Sequence, residues 1–313
     1  LDESAQAALR LVALATHAEQ AQPLRFDVLA VSVVAAGELA RFEQSLEHLK
    51  LVQQAASRAG TRNDFVRGRG TMANCFALLG DPWAGQRLLA ELIGQFQGGP
   101  GGALDNRLEA TVRVNHASTS LQIARLARQG GDAADCADAL AQAQASIERT
   151  REIAALLRDA RVAAFADVHA AELALLQGEH DGALGLLEGA VTQADAAGLL
   201  AHARQLRLLE AEALHERGDR AAALPLLQAV GASLNEGHEI GVRIRYHSQL
   251  QRLLAANGDH AQALRHVGRL PPAENDRAGA RSFSGLRLDA LPRLLGCAVS
   301  PAPVVCLAGS NQL

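Results

Sequence analysis

Small and large apolar positions recur along this chain at fixed distances from a glycine followed by an acid. The pairs are Gly37-Glu38, Gly80-Asp81, Gly131-Asp132, Gly178-Glu179, Gly218-Asp219 and Gly258-Asp259, spaced 43, 51, 47, 40 and 40 residues apart. Seven residues before each glycine stand Ala30, Ala73, Ala124, Ala171, Ala211 and Gln251. Five residues after it stand Phe42, Gly85, Cys136, Ala183, Ala223 and Ala263, and nine after it Leu46, Leu89, Leu140, Leu187, Leu227 and Val267. Self-similarity at a period of this length is the signature of a repeat architecture.

The pattern predicts its own elements. A glycine at such a place supplies the left-handed conformation that ends a helix. The acid after it can cap the next helix and favours that helix's positive end. Small residues on both sides of the turn let two antiparallel helices approach closely, and the large aliphatic residue fills the groove beside them. Each unit is therefore a helix, a tight turn and a second helix. One such pair cannot bury its apolar face alone, whereas a stack of pairs makes a continuous core.

These features resemble the tetratricopeptide repeat. The pattern stands here as Ala211, Gly218-Asp219, Ala223 and Leu227, and again over 171–187. It runs over about residues 24–270, with units longer than the family's standard 34 and without its usual Trp and Tyr positions. That long-unit form is similar to the repeats of bacterial signalling proteins, including those preceding GGDEF cyclase domains and those of MalT-like regulators. The resemblance implies an all-α fold, a right-handed α-solenoid of about six helix-turn-helix units. It also implies a non-catalytic protein- or peptide-binding scaffold, the sensory or interaction region of a bacterial signalling protein. Two other readings stay open. One is the regulatory segment of a diguanylate cyclase or transcription regulator whose output domain lies elsewhere. The other is a self-association module.

Three segments follow. Residues 1–22 read as one leading helix with Leu9, Val12, Ala13 and Leu14 apolar, the second helix of a truncated unit, broken by Pro23. Residues 23–270 hold the repeats. Gly98-Gly99-Pro100-Gly101-Gly102 reads as a loop between units, and Ser233-Leu234-Asn235-Glu236-Gly237 as a smaller one. In 271–313 the helical period stops, and five of the nine prolines lie there (Pro271, Pro272, Pro292, Pro301, Pro303). This tail is expected to be irregular, or to cap the last repeat.

Composition narrows the class. Of the 313 residues, 49% are hydrophobic but only 3% aromatic, which points away from a β-sandwich or barrel. A charge of −4 with mixed signs gives no reason to expect nucleic acid. The basic set of 30 contains a single lysine, Lys50, read as coding bias from a GC-rich genome. No run of 18 apolar residues occurs, so no membrane span is expected. Cys75, Cys136, Cys297 and Cys306 have no metal or disulfide spacing, which fits a reducing, cytoplasmic setting. The chain opens at Leu1 without a signal pattern and is expected to be a piece of a longer or processed protein.

Catalytic chemistry is sparse. Gly130-Gly131-Asp132-Ala133-Ala134 is superficially like a GGDEF signature but lacks its Glu and Phe and sits at a repeat turn. The 98–102 glycines lack the Lys-Ser/Thr of a phosphate loop. Glu212 and His215 have the spacing of a di-iron ligand pair, but the motif occurs once where such a site needs two and further carboxylates. His238-Glu239 does not extend to a zinc motif, and Arg67-Gly-Arg-Gly70 lacks the aromatics of an RNA-binding box. No enzyme activity, metal or cofactor is expected.

What remains is the face that first helices turn inward. Counting back 13, 10, 6 and 3 residues from the turn glycines approximates it: Arg67, Gly70, Asn74 and Ala77, then Ser118, Leu121, Arg125 and Arg128. Phe165, Val168, Glu172 and Leu175, then Gln205, Leu208, Glu212 and His215, then Arg245, Ser248, Arg252 and Ala255 continue it. The candidate partner-binding residues are Arg67, Asn74, Asn115, Ser118, Arg125, Arg128, Glu172, Glu212, His215, Arg245 and Arg252. Arg and Asn side chains can hold the amides or carboxylates of an extended peptide. A homodimer through the solenoid ends is the other expected assembly.

Overall fold

A computed structural model of the chain describes residues 47–52, 54, 62–78, 80–97, 106–234 and 240–267. The chain divides into two units, Leu1–Arg269 and Leu270–Leu313. The expected leading helix, the pair around Gly37, the 98–102 glycine loop and the 271–313 tail lie outside the described residues. Residues 47–52 are helical and bury Leu49 and Val52. Ten helices follow among the described residues: α1 (Arg62–Leu78), α2 (Pro82–Gln97), α3 (Asn106–Gly130), α4 (Ala133–Leu157) and α5 (Ala160–Gln177). Then come α6 (His180–Ala196), α7 (Leu200–Arg217), α8 (Arg220–Ser233), α9 (Ile240–Ala256) and α10 (His260–Val267). They make five helix pairs, stacked as an all-α solenoid.

The turns behave as their sequence demands. Gly80, Gly131, Gly178, Gly218 and Gly258 all have φ between +78° and +97°. The amide of the following acid donates back to the carbonyl five residues earlier at 2.8–2.9 Å, closing the helix end (Asp132 to Ala127, Glu179 to Ala174). Asp81, Asp132, Asp219 and Asp259 then accept an amide three residues on, at 2.9–3.1 Å, and cap the second helix. Glu179 corrects the expectation that either acid would serve: it makes no side-chain cap bond. The Ncap geometry suits a one-methylene reach, and glutamate overshoots it. Two further left-handed positions lie between units: Gly198 (φ 68°) between α6 and α7, and Arg158 (φ 50°) between α4 and α5, where no glycine marks the turn.

Close approach occurs where the small residues stand. Ala73, Ala124, Ala171 and Ala211 are buried to 1% exposure or less, as are Ala183 and Ala223 on the facing helices. Gly85 packs so tightly on α1 that a β-carbon there would lie 2.6 Å from the Ala73 carbonyl oxygen. Leu89, Leu187 and Leu227 fill the adjoining grooves and are fully buried. The larger cores each span at least three successive helices. Ala117, Leu121, Ile147 and Leu173 join α3, α4 and α5, and Ala171, Leu187, Leu206 and Leu209 join α5, α6 and α7. Leu208, Leu227, Val242 and Leu253 carry the core onward through α7, α8 and α9. The first helices also pack on one another, α1 on α3, α3 on α5, α5 on α7 and α7 on α9, while the second helices share no comparable contact. First helices thus form the closely packed layer, and their outer row of side chains makes the candidate site. No described helix is long and apolar enough to cross a membrane.

Candidate functional site

Helical geometry sorts the predicted inner face into two rows. Positions six before the turn glycine carry polar side chains, Asn74, Arg125, Glu172, Glu212 and Arg252. At positions ten before it, Leu121, Val168 and Leu208 are core residues, and Gly70 is buried. A helix of 3.6 residues per turn places the ninth position, not the tenth, over the sixth and second. The row at nine is His169, Leu209 and Gln249, and all three adjoin the site.

The outer row closes into a ladder of charges. Glu172 of α5 is 8% exposed and is held by two guanidinium groups, Arg125 of α3 at 3.1 Å and Arg245 of α9 at 2.5 Å. His169, one turn back on α5, lies 3.4 Å away. Burial pushes the Glu172 carboxyl up, but Arg245 and Arg125 outweigh it and hold the group well below the usual carboxylate range. On α7, Glu212 accepts the Gln249 amide at 2.8 Å and faces Arg252 at 3.6 Å, and Arg252 also meets Glu216 at 3.5 Å. His215 is half-buried, and its imidazole is lowered chiefly by burial.

Beside the ladder a cleft of ≈ 360 Å³ opens between α3, α5 and α7. Arg125, Arg128, Glu172, Glu212 and Glu216 supply its charges, and Leu175, Leu176 and Leu209 its apolar floor. Arg128 is exposed and donates to the Leu176 carbonyl. It has no carboxylate partner among the described residues. His180, at the start of α6, completes the rim. Its Nδ1 is buried and has no hydrogen-bond partner among the described residues.

The structure therefore gathers Arg125, Arg128, Glu172, Glu212, Arg245 and Arg252 into one surface. Arg67 (exposed) and Asn74 (half-buried) lie on α1, and Asn115 and Ser118 lie on the earlier turns of α3, away from the cleft. Sequence reasoning passed over Gln249 and Glu216, which a step of four from Arg245 and Glu212 reaches on the same faces. For His180, on a second helix, the repeat gives no signal. Among the described residues no group of three or more His, Cys, Asp or Glu could hold a metal ion.

No family model matches the sequence, and no curated protein sequence matches it. Among solved structures, one similar to it is a tetratricopeptide repeat protein from Parabacteroides merdae ATCC 43184. The two share 13% identity and a TM-score of 0.52, covering 94% of this chain and 90% of that one. A likeness at that identity establishes a tetratricopeptide-like fold.

Proposed function

We propose that the first-helix face is a non-catalytic docking groove for an extended segment of a partner protein. The cleft between α3, α5 and α7 carries this reading, because it combines an apolar floor with cations and carboxylates that are set in place by the ladder. Peptide recognition needs such a mixture, apolar anchors with a few positioned polar groups. The ladder carboxylates already have arginine partners, so a ligand that brings a cation has to displace one. A ligand that brings a carboxylate or a backbone carbonyl finds Arg128. Arg67, Asn74, Asn115 and Ser118 would extend the contact along α1 and α3 rather than form its centre.

A peptide array probed with the whole chain tests this. Binding should be lost about tenfold or more in Arg128→Ala, since a charge-assisted bond contributes roughly 1.5–3 kcal/mol. Smaller losses are expected for Arg67→Ala and Asn74→Ala. Captured peptides that bind all three variants as well as the parent would remove the groove from consideration. The long repeat units further support placing this scaffold in a bacterial signalling protein with its output outside the chain. The DNA flanking the coding segment tests that directly; a flanking frame that encodes no such output domain would count against it.

A further inference from the structure

In a stack of repeats each unit touches its neighbours, and coupling passes from one to the next. Arg252 and Gln249 on α9 obey that rule, since both reach Glu212 on the adjoining α7. Arg245 does not. It passes α7 and bonds Glu172 on α5, 73 residues back in the chain. Arg125 on α3 meets the same carboxylate oxygen, Oε1, at 3.1 Å.

We propose that Glu172 is a long-range clamp that fixes the α9–α10 unit against α5 across α7, and so sets the spacing of the units that frame the cleft. The three groups are stable only as a set. Without the carboxylate, Arg125 and Arg245 face one another with like charge. Without the arginines, a carboxylate whose side chain is 9% exposed is left unpaired. His169, at 3.4 Å, is the remaining titratable group against Glu172. The carboxylate is 9% exposed while Arg125 is 37% and Arg245 27% exposed, so screening weakens these contacts less than it weakens a fully exposed surface pair. Arg125 and Glu172 are also cleft walls, which makes the width of the cleft and the position of α9 a single variable. The clamp acts whether or not a ligand is present.

Hydrogen exchange read by mass spectrometry on the whole chain tests it without a ligand. In Arg245→Met, amides of α9 and α10 are expected to exchange ten- to a hundredfold faster, with α3 and α4 unchanged. Glu172→Gln should reach the same loosening at α9 and add some at α5, where two arginines are left facing. The double variant should be no looser at α9 than Glu172→Gln alone. Arg243→Met, on the same helix but outside the clamp, is the control. If α9 and α10 in Arg245→Met stay within twofold of the parent, or if Arg243→Met loosens them equally, the clamp is overturned. Should Glu172→Gln fail to fold, Arg245→Met and its control still decide the matter.

Discussion

At Gly85 two general rules about glycine point in opposite directions. Alanine in a helix interior is ordinarily better than glycine by about 1 kcal/mol. Here the added methyl group would stand 2.6 Å from the backbone oxygen of Ala73, and a backbone cannot rotate away as a side-chain tip can. Steric cost should prevail. Gly85→Ala is expected to destabilise by about 1–3 kcal/mol, the usual range for overpacking. Urea unfolding followed by the fluorescence of Trp83, on the same helix, measures it, and a raised midpoint would contradict the close-approach account. Glu179 presents the reverse case. Four sister turns use aspartate and obtain a cap; this one uses glutamate and does not. Glu179→Asp should therefore stabilise by about 0.5–1 kcal/mol. The gain ought to appear in the same urea experiment as an unchanged slope with a higher midpoint. The Gly-acid pairs were plain in the sequence, but the difference one methylene makes at a cap emerges only from the geometry of the turn.

Whole helices show what a small aromatic fraction leaves the fold to work with. Between α3 and α4 the interface is polar as well as aliphatic. Arg149 donates two bonds to Glu109, at 3.0 and 3.1 Å, and Arg113 lies 3.4 Å from the same carboxylate. Nearby, His116 Nδ1 and Ser146 Oγ are 2.9 Å apart and both residues are buried. Burial, with Arg113 adding to it, pushes the His116 imidazole down to about 4 from an ordinary value of 6.5. The folded protein thus keeps this ring neutral where the unfolded chain would take up a proton. Stability is complete above 6.5, falls as the pH drops from about 6.5 to about 4, and levels off below that. A shift of this size corresponds to roughly 3 kcal/mol over the window. His116→Asn should flatten much of that slope in urea titrations from pH 7 to pH 4, whereas an unaltered slope would show that other groups govern it. None of this network was legible in advance. The repeat spacing marks where apolar side chains must meet, and it says nothing about polar residues that satisfy one another inside an interface. The same limit hid Arg158, because a left-handed turn built without glycine leaves no mark at the repeat positions.

For the molecule as a whole, stacking is both the source of the core and its hazard. The order of helices, the turns and the small-residue contacts were readable from residue spacing because each unit repeats one local solution. The ladder was not, because Arg125, Glu172 and Arg245 come from three separate units and only the stack brings them together. The same nearest-neighbour logic determines what happens at an exposed end. Leu208, Leu214, Leu227 and Val230 on α7 and α8 are covered by Val242, Leu250 and Leu253 of the next unit. A chain ended at residue 234 would present the first set to water. Four large aliphatic residues uncovered together form an apolar patch of a kind that monomers rarely expose. Such a chain also loses Arg245, so of its two arginines Glu172 keeps Arg125 alone. Light scattering over a concentration series should then show mass rising above the monomer, together with a helical signal that stays in proportion to the remaining residues. The informative comparison is the supply of the missing surface in trans: adding the separate 235–267 segment should lower the mass toward that of a one-to-one complex. A shortened chain that remains monomeric and fully helical at every concentration would mean that α7 and α8 need no cover. The stack would then be held by its units singly rather than by their contacts.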